Sequence, residues 1–170
     1  MADALYKADL ARYDGKIDWY RKTFHYHFRY ANSSVVGKLW HRICLKYLQH
    51  KNGVEIPYNT KIGKDLYLGH PYNITINPNA IIGENCNIHK GVLIGQENRG
   101  RRVGAPIIGN NVWIGINAAI VGSVTIGDDV LIAPNSYINC DVPSHSVVFG
   151  NPCIIKFKDN ATEGYINRPV

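Results

Sequence analysis

Histidine is the side chain best suited to moving a proton near neutral pH, and two of the seven in this 170-residue chain sit beside a regular apolar pattern: His70 in "LGHP" and His89 in "NIHK". An imidazole with one nitrogen held protonated can take a proton through the other, the role of a general base. The bland reading of His70 is a surface imidazole beside Pro71, and that of His89 is a structural side chain on an outer corner. Arg99, Arg101 and Arg102 form a second group within "QENRGRRVGAP", where planar guanidinium groups could hold phosphate or carboxylate oxygens in pairs or stand solvated. Cys44, Cys86, Cys140 and Cys153 are far apart in sequence, without the paired spacing that zinc or a redox couple needs. They read as reduced thiols, which fits a cytoplasmic setting.

The elements that must position these residues fall into two parts. Residues 4–13 and 34–50 place apolar side chains three and four apart, as amphipathic helices do, and residues 17–30 read as a third helix. Ser33 or Ser34 would cap the last helix, and Gly53 follows its end. Residues 1–52 therefore form a small helical cap. Within residues 1–50, nine Lys or Arg face four Asp, so nine minus four gives +5 of the chain's +6. The excess suggests an anionic partner. Nucleic acid is disfavoured because no binding motif accompanies the charges. A membrane surface touched by "WYRKTFHYHFRY" is compatible with them. The N-terminus lacks a signal-like apolar stretch, and no segment approaches the length of a membrane span.

From residue 56 the pattern changes. Ile56, Ile62, Leu68, Ile76, Ile82, Ile88, Ile94, Ile108, Ile114, Ile120, Ile126, Ile132 and Ile138 recur mostly at steps of six. Six is a multiple of two, so each aliphatic faces the same way from an extended segment, whereas a helical period would spread them around the surface. The segments are short strands joined by Gly, Asn and Asp corners. Three of them close a coil of eighteen residues, and stacked coils form a parallel β-helix with an isoleucine interior. Two steps break the beat: eight residues at "HPYNITIN", and fourteen from Ile94 to Ile108, which expels the arginine-bearing loop. Loops leaving a rigid scaffold are where function concentrates.

Residues 53–156 resemble the hexapeptide-repeat acyltransferases, and among them the serine acetyltransferase branch. The likeness is carried by "IGKDLYLGH", "INPNAIIGENCNI", "GVLIG", "PIIGNNVWIGINAAIVGSVTIGDDVLIAPNSYI" and "DVPSHSVVFGNPCIIK". The resemblance implies a left-handed parallel β-helix, a homotrimer with active sites between subunits, and acetyl-CoA as donor with no metal. Residues 157–170 are left as a tail.

It also implies site residues. The family's base corresponds to His70, which takes the proton of an acceptor hydroxyl. The acidic residue that orients it stands fifteen positions earlier, and 70 minus 15 is Glu55; on an eighteen-residue coil that places the pair three positions short of direct stacking. For CoA the matching positions are Gly95, Gly115, Ile116, Ala133 and Pro134, with Lys156 near the phosphates. His89, Arg101 and Arg102 fall on the acceptor side. Three departures mark this chain: the acidic residue expected before the base is Gly69, and an Arg–His pair at the end of the loop is Gly104 and Ala105. With a short helical cap, these departures resemble the branch that works on sugars and surface polysaccharides. The expectation is therefore an acetyl-CoA-dependent O-acetyltransferase acting on a saccharide hydroxyl, with serine O-acetylation as the alternative and a silent trimeric scaffold behind both. A β-helical carbonic anhydrase would need three converging histidines.

Overall fold

A computed structural model describes residues 1–32 and 37–166. Three helices come first: α1 (Ala2–Ala11), α2 (Trp19–Tyr30) and α3 (Lys38–Asn52). The Asp18 side chain accepts the Arg21 N–H and starts α2, and Gly53 in the left-handed region (φ 63°) ends α3. The expected caps Ser33 and Ser34 lie outside the described residues; the N-cap position of α3 is Gly37.

Fourteen short strands build a prism with three walls. Wall one stacks β1 (Lys61–Ile62), β4 (Ile81–Ile82), β7 (Ile107–Ile108) and β10 (Thr125–Ile126). Wall two stacks β2 (Tyr67–Gly69), β5 (Asn87–His89), β8 (Val112–Ile114), β11 (Val130–Ile132) and β13 (Ser146–Phe149). Wall three stacks β3 (Thr75–Ile76), β6 (Leu93–Gly95), β9 (Ala119–Val121) and β12 (Tyr137–Ile138). All these pairings are parallel, and only β14 (Ile154–Phe157) returns antiparallel, against β13. The chain is a parallel β-helix, and every member of the six-residue series is buried except Ile62, which is half-buried against the core. Stacking in register puts Leu68, Ile88, Ile114 and Ile132 on one another, so the interior is a column of like side chains.

Coil length shows where the repeat yields. Thr75 pairs with Leu93, a coil of 93 minus 75, or 18 residues. Tyr67 pairs with Asn87, a coil of 87 minus 67, or 20, so two extra residues leave at the corner between walls two and three, after β2. Ile81 pairs with Ile107, a coil of 26, whose eight extra residues leave between walls three and one, after β6.

The helical cap is riveted to the first coils by buried charge. Asp9, fully buried, accepts from Arg29 Nε at 2.7 Å and Nη2 at 2.8 Å, from the Leu66 backbone N–H at 2.9 Å, and meets His25 Nδ1 at 3.0 Å. Arg29 also donates to the Ile62 and Gly63 carbonyls, and Arg12 to the Asp65 carbonyl and the Asn87 side chain. The C-terminal segment is no loose tail: Asp129 accepts the Ala161 and Thr162 N–H groups, and Asn87 donates to the Tyr165 carbonyl at 3.1 Å. Cys140 and Cys153, thirteen residues apart, meet at 3.5 Å between sulfurs, because the turn after β13 lies beside β12, where Tyr137 N–H donates to the Gly150 carbonyl.

Burial alone would push the Asp9 pKa up, but His25 and Arg29 outweigh it and hold it below the ordinary carboxylate range. Its charge therefore stabilises the fold at neutral pH, and that contribution is lost as acid titrates it through its lowered pKa. Asp9→Ala strands the Arg29 charge and should cost about 3–5 kcal/mol in urea denaturation; a loss below about 1 kcal/mol would show that the cap does not depend on this cluster.

Candidate active site

His70 stands at the corner where the repeat first breaks, directly after β2. Its backbone is left-handed (φ 52°), a conformation that costs a residue with a Cβ about 1–2 kcal/mol. The left-handed position that later coils fill with Gly91, Asn117 and Asn135 is taken in this coil by Asn73 (φ 52°), so His70 is a second left-handed residue, at the two-residue insertion. The ladder counterparts of His70 in later coils, Lys90, Ile116 and Pro134, are not left-handed, so the strained backbone at His70 is particular to this corner. The ladder runs from the Gly69 carbonyl to Lys90 N–H, from Lys90 to Asn117 and from Ile116 to Asn135, so His70, Lys90, Ile116 and Pro134 occupy one edge in successive coils. Gly115 and Ala133 flank the same edge. At the usual strand spacing, three coils from His70 to Pro134 span about 14 Å. Coils approach closely here, since a Cβ on Gly115 would meet Pro134 N at 2.6 Å and the Ile132 carbonyl at 2.8 Å.

His89 explains the missing acid at position 69. Gly69 and His89 are ladder partners, and a Cβ on Gly69 would lie 2.3 Å from His89 Cδ2 and 2.6 Å from Nε2. The imidazole occupies the space that a carboxylate side chain would need. Its Nδ1 lies 3.0 Å from the Ile114 carbonyl, which can only accept, so Nδ1 carries the proton and Nε2 keeps the lone pair. Burial above all, and the neighbouring His70, lower the His89 pKa, against the Ile114 carbonyl, which raises it. The ring packs on Trp113, centroids 4.7 Å apart, and both line a cavity of about 640 Å³ closed by Tyr13, Lys16 and Arg21 of the cap and by Tyr165. Sequence periodicity puts His89 on the outer wall. It carries no signal that Gly69 makes room for its ring.

The other expected residues divide between edges. Glu55 is exposed and pairs with Thr75, opening wall three beside the His70 corner. Its coil has 75 minus 55, or 20 residues, not the eighteen expected, because the two extra residues fall between His70 and Thr75. Glu55 is thus five positions short of stacking under His70, and among the described residues no hydrogen bond joins them. Gly95 lies at the far end of wall three, on the edge that releases the loop, away from Gly115 and Ile116. Arg101 and Arg102 form a 3-10 turn in that loop, where Arg102 bonds the Ser123 carbonyl at 3.4 Å and Asp141 at 3.3 Å. With Glu97, Arg99, Val121 and Tyr137 they line a separate cavity of about 600 Å³. Lys156, exposed on β14, sits with its Nζ 5.6 Å over the Phe149 ring. Within one chain, His70 shares an edge with Gly115, Ile116, Ala133 and Pro134, while Gly95, Arg101 and Arg102 occupy another.

The family described as bacterial transferase hexapeptide (six repeats) matches residues 105–140. The serine acetyltransferase of Staphylococcus aureus (strain Mu50 / ATCC 700699) is 37% identical over 112 residues, covering 66% of this chain and 53% of its own length. The chain thus carries a bacterial transferase hexapeptide repeat and is similar to serine acetyltransferases. The serine acetyltransferase of Synechococcus elongatus is 34% identical over 100 residues, 59% of this chain and 41% of that protein. Among solved structures, Neisseria gonorrhoeae serine acetyltransferase in complex with serine superposes with a TM-score of 0.73 at 25% identity, over 91% of this chain and 69% of that one. The soybean apoenzyme has a TM-score of 0.74 at 22% identity over the same shares, a likeness of fold. The chain spans about half the length of the curated relatives it matches.

Because folding disfavours the charged form of His89, its NMR titration midpoint should fall below 6.5, and acidification through that range should cost stability. Gly69→Ala should push the ring aside and return the midpoint toward 6.5; an unchanged midpoint would show that the ring and Gly69 are not in contact.

Proposed function

We propose that this hexapeptide-repeat protein is an acetyl-CoA-dependent O-acetyltransferase whose base is His70 and whose acceptor is the hydroxyl of serine. The observation that carries the chemistry is the His70 corner: an exposed imidazole in a left-handed backbone, at a break in the repeat, on the edge that also presents Gly115, Ile116, Ala133 and Pro134. His70 takes the acceptor's hydroxyl proton as the oxygen attacks the thioester carbonyl. A C–O bond forms, the C–S bond breaks, and the proton passes to the departing CoA sulfur. Glu55, beside that corner on wall three, orients the ring. The CoA arm lies along the edge of Gly115 and Pro134, where small residues let it approach the backbone, and Lys156 meets its phosphates.

Sequence departures at Gly69, Gly104 and Ala105 put a saccharide ahead of serine, but the relatives favour serine, since the Staphylococcus aureus, Synechococcus elongatus and Neisseria gonorrhoeae proteins named above are serine acetyltransferases. The departure at Gly69 also weighs less once His89 is seen to fill its side-chain space, leaving a neutral Nε2 as acceptor of an acceptor-side N–H or O–H. The saccharide remains a second reading on one observation, the cavity of about 600 Å³ walled by Arg99, Arg101 and Arg102, which suits a larger anionic acceptor. We further infer a homotrimer. The edge with His70 and the edge with Gly95 and the loop arginines stand apart in one chain and would meet across a subunit boundary.

In a thiol-release assay with acetyl-CoA, His70→Ala should lower kcat by about 10² to 10⁴ with the fold unchanged, and near wild-type turnover would remove His70 as the base. Glu55→Gln should cause a smaller loss of kcat in the same assay. Serine should outperform free saccharides in the same assay; turnover with saccharides alone would restore the second reading.

A further inference from the structure

The outward side of α3 carries what a solvated helix face should lack. Leu39, Trp40, Ile43 and Tyr47 are 70%, 65%, 54% and 65% exposed, and their spacing gathers them on one side of the helix. The inward side already has its own apolar contacts, with Leu45 and Leu48 each 2% exposed. Trp19, 61% exposed, extends the patch from the start of α2, where Lys51 Nζ sits 5.1 Å over its ring. Sequence reading placed membrane contact on "WYRKTFHYHFRY", but α2 turns Phe24 and Phe28 into the core, at 0% and 5% exposure, so α3 is the element that shows its apolar side chains.

Charge narrows the partner. Helices α2 and α3 hold three plus four Lys or Arg and not one Asp or Glu. Lys46 and Lys51 are exposed beside the apolar stripe. Meeting its own copy across a two-fold axis, this face would oppose like charge to like charge, whereas an anionic lipid surface would neutralise it and accept the aromatic and aliphatic side chains. Among the described residues no helix is long and apolar enough to cross a membrane, so the geometry is that of a helix lying on the surface.

We propose that the outward face of α3, extended by Trp19, docks this protein onto an anionic lipid bilayer. The face lies on the helical cap and does not depend on the reaction assigned to the β-helix.

The 170-residue chain should co-sediment with vesicles of phosphatidylcholine and phosphatidylglycerol, release in high salt, and ignore phosphatidylcholine alone. Trp40→Ser with Ile43→Ser should abolish sedimentation while circular dichroism and sedimentation-velocity mass stay as in the parent. Lys46→Ala and Lys51→Ala should each weaken binding roughly fivefold. No binding to anionic vesicles, or equal binding to both compositions, would overturn the proposal. So would a serine double variant that loses its oligomeric state yet still binds vesicles, which would make the face a subunit contact. Acetyl transfer assayed on the same variants with soluble acceptor should be unchanged, keeping this test separate from that of His70.

Discussion

The structure depends on one constraint: aliphatic side chains must stack on their own kind from coil to coil at the spacing of paired parallel strands. Leu68, Ile88, Ile114 and Ile132 meet this in wall two, and Ile76, Ile94, Ile120 and Ile138 in wall three. A shift by one residue would turn the column outward, so register leaves no freedom within a wall. Extra residues can leave only at corners. That is why the two excursions emerge at edges of the prism, and why His70 and the loop arginines are found there.

A stack of coils has ends, and an open end exposes unpaired carbonyls and apolar side chains. The helical cap closes the first coils by sending Arg12, Arg21 and Arg29 to backbone carbonyls of residues 62 to 68, with Asp9 compensating the buried charge. At the other end β14 folds back antiparallel on β13. The same cap that seals the end also closes the cavity over His89 and Trp113, so stability and site geometry share residues.

Much of the fold is legible in sequence because its period is written in single residues. The spacing of six predicts strands, walls and interior, and all but Ile62 are found fully buried. Helix positions are legible too, while starts shift by two residues in α1 and α2 and four in α3, because capping is local. The catalytic geometry is less legible. Fifteen positions between Glu55 and His70 suggest near-stacking only if every coil has eighteen residues; the pairing of Glu55 with Thr75 makes that coil 20. Gly95 reads like Gly115, since both follow an inward isoleucine, but the two end different walls.

Sequence by itself determined the repeat, the inward column, the places where the repeat breaks, and the identity of the imidazole at the first break. Those properties are periodic or local, and each is carried by the residues that show it. Tertiary structure decided which edge each residue occupies, that His89 fills the space above Gly69 with its proton fixed on Nδ1, and that α3, joined by Trp19 at the start of α2, presents an apolar stripe to the outside. These depend on coil length and on what packs against each face, and neither is encoded at any single position.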